Sequence, residues 1–174
     1  SGLQWTSVTL LSPYGTSIIL GAGDQISGSW SGNASGQLYS TIFDDEASTG
    51  IYSGTAPFAG SFQPAGSLSS FDDQSITGQW ELLINNRHGS SGSVEYTIMV
   101  ESDSSTPLSP PDYGTSYASS STSFTDASLT SIPISITDAG TITDLNIRIT
   151  LNHTYGDGLR HISVQLISPY GTAI

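Results

Sequence analysis

The eleven residues from Val8 to Ile18, VTLLSPYGTSI, return almost letter for letter as Val164 to Ile174, VQLISPYGTAI, an offset of 156 residues (164 − 8). The match reaches further back, since Gly2 and Leu3 line up with Gly158 and Leu159, and Ser7 with Ser163. The 174-residue sequence is therefore one period of 156 residues plus an overlap of 18. Internal repetition outranks other signals in fixing architecture, and a sequence that ends on the segment it began with reads as a window on a tandem array. The expected organisation is the back part of one unit over 1–101, a Ser-, Thr- and Pro-rich linker over 102–123, and the front part of the next unit over 124–174.

A chain of this length can build one full core. Only 3 Lys and Arg stand against 15 Asp and Glu, and the net charge of −12 argues against phosphate backbones and anionic membrane surfaces, which need clustered cations. Nucleic acid is excluded as a partner. With no cysteine there are neither disulfides nor thiolate metal sites. No apolar run approaches the length that crosses a bilayer, so membrane insertion is not expected.

The pattern of apolar residues is that of short strands. Val8 and Leu10 alternate with polar neighbours up to Ser12-Pro13-Tyr14-Gly15, a type I turn signature. Ile18 to Leu20 resumes a short strand, and Leu38, Ser40 and Ile42 lead into the acidic run Asp44-Asp45-Glu46. Gly50 to Ser70, with Pro57, Pro64 and several glycines, reads as a long loop pinned by Tyr52, Phe58 and Phe62. Trp80, Leu82 and Ile84 alternate with Gln79, Glu81 and Leu83, and Val94, Tyr96, Ile98 and Val100 with Glu95, Thr97, Met99 and Glu101, and the two runs read as a hairpin with one buried and one wet face. Ile132, Ile134 and Ile136 form a further strand, followed by Leu145, Ile147, Ile149 and Leu151, then by Ile162, Val164 and Leu166. No stretch carries a 3.6-residue period. The fold class expected is all-β, a jelly-roll β-sandwich of antiparallel strands.

These motifs, in this order, resemble the P domain (P/Homo B) that follows the catalytic domain in kexin- and furin-like proprotein convertases and in bacterial subtilisin-like proteases. The family's front half matches His153-Thr154-Tyr155, Gly156-Asp157-Gly158-Leu159 with one extra Gly, and Leu166-Ile167-Ser168-Pro169-Tyr170-Gly171-Thr172. Its back half matches Phe43 to Ala47, Leu68-Ser69-Ser70-Phe71, Gly78-Gln79-Trp80-Glu81-Leu82 and Gly92 to Val100. The resemblance implies structural roles for Trp80, His153, Thr154, Asp157, Pro169 and Gly171. Asn85-Asn86 stands where the family often has an Asp after the Trp strand, and the two halves arrive in reversed order.

Three kinds of site suggest themselves. His153, Asp157 and the serines could be read as a catalytic triad, but no nucleophile-elbow motif accompanies them, and no catalytic residue is assigned. His88 and His161 read as surface residues. Asp44, Asp45 and Glu46, helped by Asp24 or by Asp72 and Asp73, offer the hard oxygen ligands of Ca²⁺; some members of the family bind calcium, whereas most acidic residues in so acidic a chain are simply solvated. Trp30, in a Gly- and Ser-rich loop, is the one candidate for stacking on a sugar, while Trp80 sits among core positions. Asn33 and Asn152 each open an N-glycosylation sequon.

The function expected is that of a non-catalytic P-domain-like repeat of an extracellular structural or adhesive protein, a filament subunit contacting neighbouring copies head to tail. The alternatives are a P domain that stabilises an attached subtilisin-like protease, and a carbohydrate- or surface-binding module.

Overall fold

A computed structural model of the chain describes residues 18–22, 38–55, 57–86, 91–102, 114–125 and 127–152, and the backbone of 153 and 162–167. Ten strands lie within these residues: β1 (Ile18–Gly21), β2 (Leu38–Phe43), β3 (Phe58–Phe62), β4 (Gly78–Asn86), β5 (Gly92–Ser102), β6 (Thr115–Ala118), β7 (Thr122–Phe124), β8 (Ser128–Ile136), β9 (Ile142–His153) and β10 (Ile162–Ile167). The only helical pieces among them are two 3₁₀ turns, Ile51–Ser53 and Leu68–Phe71. The strands form two sheets, one ordered β1-β10-β4-β8 and the other β3-β2-β9-β5-β6, with β7 also on β5. The fold is an all-β sandwich. Every named pair is antiparallel except β2 with β3, which is parallel.

The period-two pattern explains the core. Trp80, Leu82 and Ile84 of β4 and Ile132, Ile134 and Ile136 of β8 are buried from one sheet. Val94, Tyr96, Ile98 and Val100 of β5 and Leu145, Ile147, Ile149 and Leu151 of β9 are buried from the other. These faces join one hydrophobic cluster. The two buried aromatic donors find partners, as burial requires: the Trp80 indole donates locally to the Ile76 carbonyl at 2.9 Å, and the Tyr96 hydroxyl of one sheet donates to the Ile132 carbonyl of the other at 3.0 Å. Burial pushes the Tyr96 phenol far above its ordinary value, so it remains a donor. The Phe71 ring meets Trp80 edge-on at 5.4 Å.

The periodicity identifies faces correctly and partners less so. β4 and β5 are consecutive and both half-buried, yet they do not form the hairpin expected of them, because β4 lies in one sheet and β5 in the other. The same crossing recurs from β8 to β9 and from β9 to β10. Alternation records that one face of a strand is dry, and a sandwich dries that face equally well whichever sheet holds it.

Three local departures have visible causes. In β2 the backbone of Ser40 takes φ +49, and the register slips between Leu38 and Thr41, so Thr41 and Phe43 are buried where simple alternation places Ser40 and Ile42. The buried Thr41 hydroxyl donates to the Phe58 carbonyl at 2.6 Å. The Gly50 to Ser70 stretch contains a strand, β3, laid parallel to β2 as an edge. In the expected linker 102–123 and running one residue past it, Thr115–Ala118 and Thr122–Phe124 pair with β5 as β6 and β7. They contribute few apolar residues because they lie along an edge, with Phe124 buried and Tyr117 partly so. Gly92 permits this arrangement, since a Cβ there would overlap the Asn152 carbonyl oxygen and the Phe124 ring.

Strands from 1–101 and from 124–174 share both sheets. β9 lies between β2 and β5, and β10 lies between β1 and β4.

Candidate functional site

Two features of the fold gather the residues singled out in the sequence. The first is an acidic rim at the end of β2. Asp45 is committed locally: one carboxylate oxygen accepts from the Leu68 N–H at 3.0 Å, and the other from the Ser69 N–H at 2.9 Å and the Ser67 hydroxyl at 2.5 Å. These are orphan donors at the start of the 3₁₀ turn Leu68–Phe71, so Asp45 caps that turn from 23 residues away in sequence. The Gln63 amide adds a bond to the Asp45 carbonyl at 3.2 Å. Asp44 accepts from the Glu46 N–H at 2.8 Å.

The remaining carboxyls repel one another. Asp144 stands directly opposite Glu101 across the β5–β9 ladder. Burial, then the Glu101 charge, holds the Asp144 carboxyl above its usual range. Burial, followed by Asp144, Asp73 and Asp45, does the same to Asp72. Glu46 is raised first by its hydrogen bond with the Asp44 carboxyl. Asn146, buried beside them, donates to Asp144 at 2.8 Å, and its own side-chain oxygen has no hydrogen bond among the described residues.

Asp44, Asp45 and Glu46 lie together at the end of β2, where both Asp45 oxygens accept hydrogen bonds within the chain and Asp44 accepts from the Glu46 N–H. Among the described residues no group of three or more His, Cys, Asp and Glu is placed to hold a metal ion. Asp72 and Asp144 join the rim through the fold, and Asp144 is 98 to 100 positions from Asp44 and Glu46, too far for a local motif to reveal it.

Other predicted positions divide cleanly. Trp80 is fully buried. Asn86, at the end of β4, is buried and donates to the Thr125 carbonyl at 2.8 Å, tying β4 to the turn before β8. Asn152 is exposed near the end of β9. The backbone of His153 pairs with Gly92. Asn33, Trp30, Asp24, His88, Thr154, Asp157, His161, Pro169 and Gly171 lie outside the described residues. Also among the described residues, no helix is long and apolar enough to cross a membrane.

The second feature is the place of β10. It pairs with β4 from Ile162↔Asn86 to Ile167↔Glu81, which sets Val164 and Leu166 opposite the fully buried Ile84 and Leu82. On its other side it pairs with β1 at Ile18↔Leu166, Ile19↔Gln165 and Gly21↔Val164. The second copy of the duplicated segment thus supplies an interior strand, and its neighbour β1 begins at the last residue of the first copy. No family model, curated protein or solved structure matches the chain.

Proposed function

We propose that the chain is a non-catalytic repeat of an extracellular structural or adhesive protein, P-domain-like in its motifs, that contacts neighbouring copies head to tail. The single observation that carries this reading is the 156-residue repeat: its duplicated segment coincides with a strand inside a sheet, so neighbouring units carry the same structural part. An extended strand that fits between two others is held by ladder hydrogen bonds, and such strands are readily supplied by another unit. A head-to-tail contact does not close on itself, and it propagates. The acidic surface keeps such an assembly soluble and away from polyanions.

Sedimentation velocity over a wide concentration range, with negative-stain imaging of the same samples, tests the reading. The expected result is an open series of oligomers that lengthens with concentration. A monomer unchanged across the range would reject it.

A further inference from the structure

We propose that the slot between β1 and β4 is a strand-acceptor site for a second copy of this chain, and that its occupant there is the duplicated strand. This deepens the repeat reading and rests on it. Among the described residues there is one such slot, while two segments of the sequence carry the pattern that fills it.

Eight of the eleven positions in Val8–Ile18 are identical in Val164–Ile174. By the 156-residue offset, Val8 and Leu10 correspond to Val164 and Leu166, the residues set opposite Ile84 and Leu82. The polar positions Ser7 and Thr9 correspond to Ser163 and Gln165, so the alternation of apolar and polar residues is kept as well. Register in a sheet with one dry face is fixed by that pattern, and the same slot therefore accepts either segment in the same register. The partner position is duplicated too, since Ile174 corresponds to Ile18, the β1 residue paired with Leu166.

Both segments are tethered close to the slot. Six residues separate Leu11 from Ile18, and eight separate His153 from Ile162. Tethers this short hold an effective concentration on the order of millimolar, so neither excludes the other by distance alone. Whichever segment fills the slot, the sequence of the other is complementary to the same slot on another copy. Exchange between copies replaces one ladder by an equivalent ladder, with no new interface to build.

The absence of cysteine makes the test clean. Opposed residues of an antiparallel pair are within disulfide reach. Gln165 stands opposite Leu83, a half-buried position on the outer face of β4, and Thr9 is the counterpart of Gln165. Full chains carrying Leu83→Cys are mixed with full chains carrying Thr9→Cys or Gln165→Cys, left to exchange, oxidised gently and mapped by mass spectrometry. Ser61→Cys, exposed on β3, replaces Leu83→Cys in the control. If Leu83→Cys does not fold, Glu81→Cys with Leu11→Cys or Ile167→Cys probes the adjacent pair.

The expected result is a heterodimer joined at position 83, severalfold above the Ser61 control. A yield no greater than that control in both pairings overturns the proposal. Cross-linked pairs without growth into longer oligomers would break the repeat reading and leave exchange standing. Oligomers that grow without a cross-link at position 83 would do the reverse.

Discussion

β9 and β10 both come from the C-terminal part of the chain, and both end in the interior of a sheet, yet they are held differently. β9 runs for 12 residues, paired with β5 from Gly92↔His153 to Ser102↔Ile142 and with β2 on its other side. β10 runs for 6 residues, paired with β4 throughout and with β1 at only three positions. β9 has no duplicate within the 174 residues, whereas β10 has one. Within these 174 residues the longer strand has no counterpart, and the shorter one fills a place for which a second matching segment is present. An element's value to the fold thus depends on what else can occupy its position as well as on the contacts it makes.

The sharpest way to break this comparison is proline. Ile149→Pro in β9 removes a ladder donor at the centre of the six-stranded sheet and should abolish cooperative unfolding. Leu166→Pro in β10 should cost only about 1–3 kcal/mol, because Thr6–Leu11 can take the slot, while Leu10→Pro with Leu166→Pro should lose folding altogether. Circular dichroism melts of the three variants check the order, and equal losses from Ile149→Pro and Leu166→Pro would remove the distinction.

A gentler probe of the same core is Ile147→Ala, where the fully buried side chain faces Phe43 and Ile98 across its two ladders. It should cost about 2–5 kcal/mol, a large share of the ~5–15 kcal/mol that holds a domain together. Urea titration reads this directly. Asp45→Asn keeps the shape and removes the charge that accepts from Leu68, Ser69 and Ser67; a loss of about 1 kcal/mol is expected. A calcium-ligand role in place of capping would leave the loss dependent on calcium.

How much of this was legible in the sequence follows from what alternation can encode. The buried faces of β4, β5, β8 and β9 are written residue by residue, as Trp80, Leu82 and Ile84 or Leu145, Ile147, Ile149 and Leu151. The sheet each strand joins is not written, because a dry face carries no address, and so β4 and β5 read as a hairpin. β6 and β7 hide among serines and threonines because edge strands need little apolar surface. The capping role of Asp45 was not legible because its hydrogen-bond donors lie 22 to 24 residues downstream, where only the fold brings Ser67, Leu68 and Ser69 to its carboxylate.

The smallest expected effect concerns the acidic rim. Asp144, Asp72 and Glu46 are held above their ordinary values in the folded chain, so they bind protons more tightly there than when unfolded. The folded state therefore gains as pH falls from neutral through the raised values, and loses again as pH climbs back. As pH is lowered from neutral toward the carboxylate range the melting temperature should rise slightly, and Asp144→Asn should flatten that slope. A melting temperature that falls steadily over this range would contradict the repulsion.

Amide hydrogen exchange of the native chain, measured with and without Leu10→Pro, tests the difference between the two strands most directly. Amides of Leu145 to Leu151 in β9 should exchange only through global unfolding in both proteins. Amides of Ser163 to Leu166 in β10 should exchange through a lower-energy opening in the native chain, and should become distinctly more protected once Leu10→Pro disables the competing strand. Protection of β10 equal to that of β9, and unchanged by Leu10→Pro, would contradict the account.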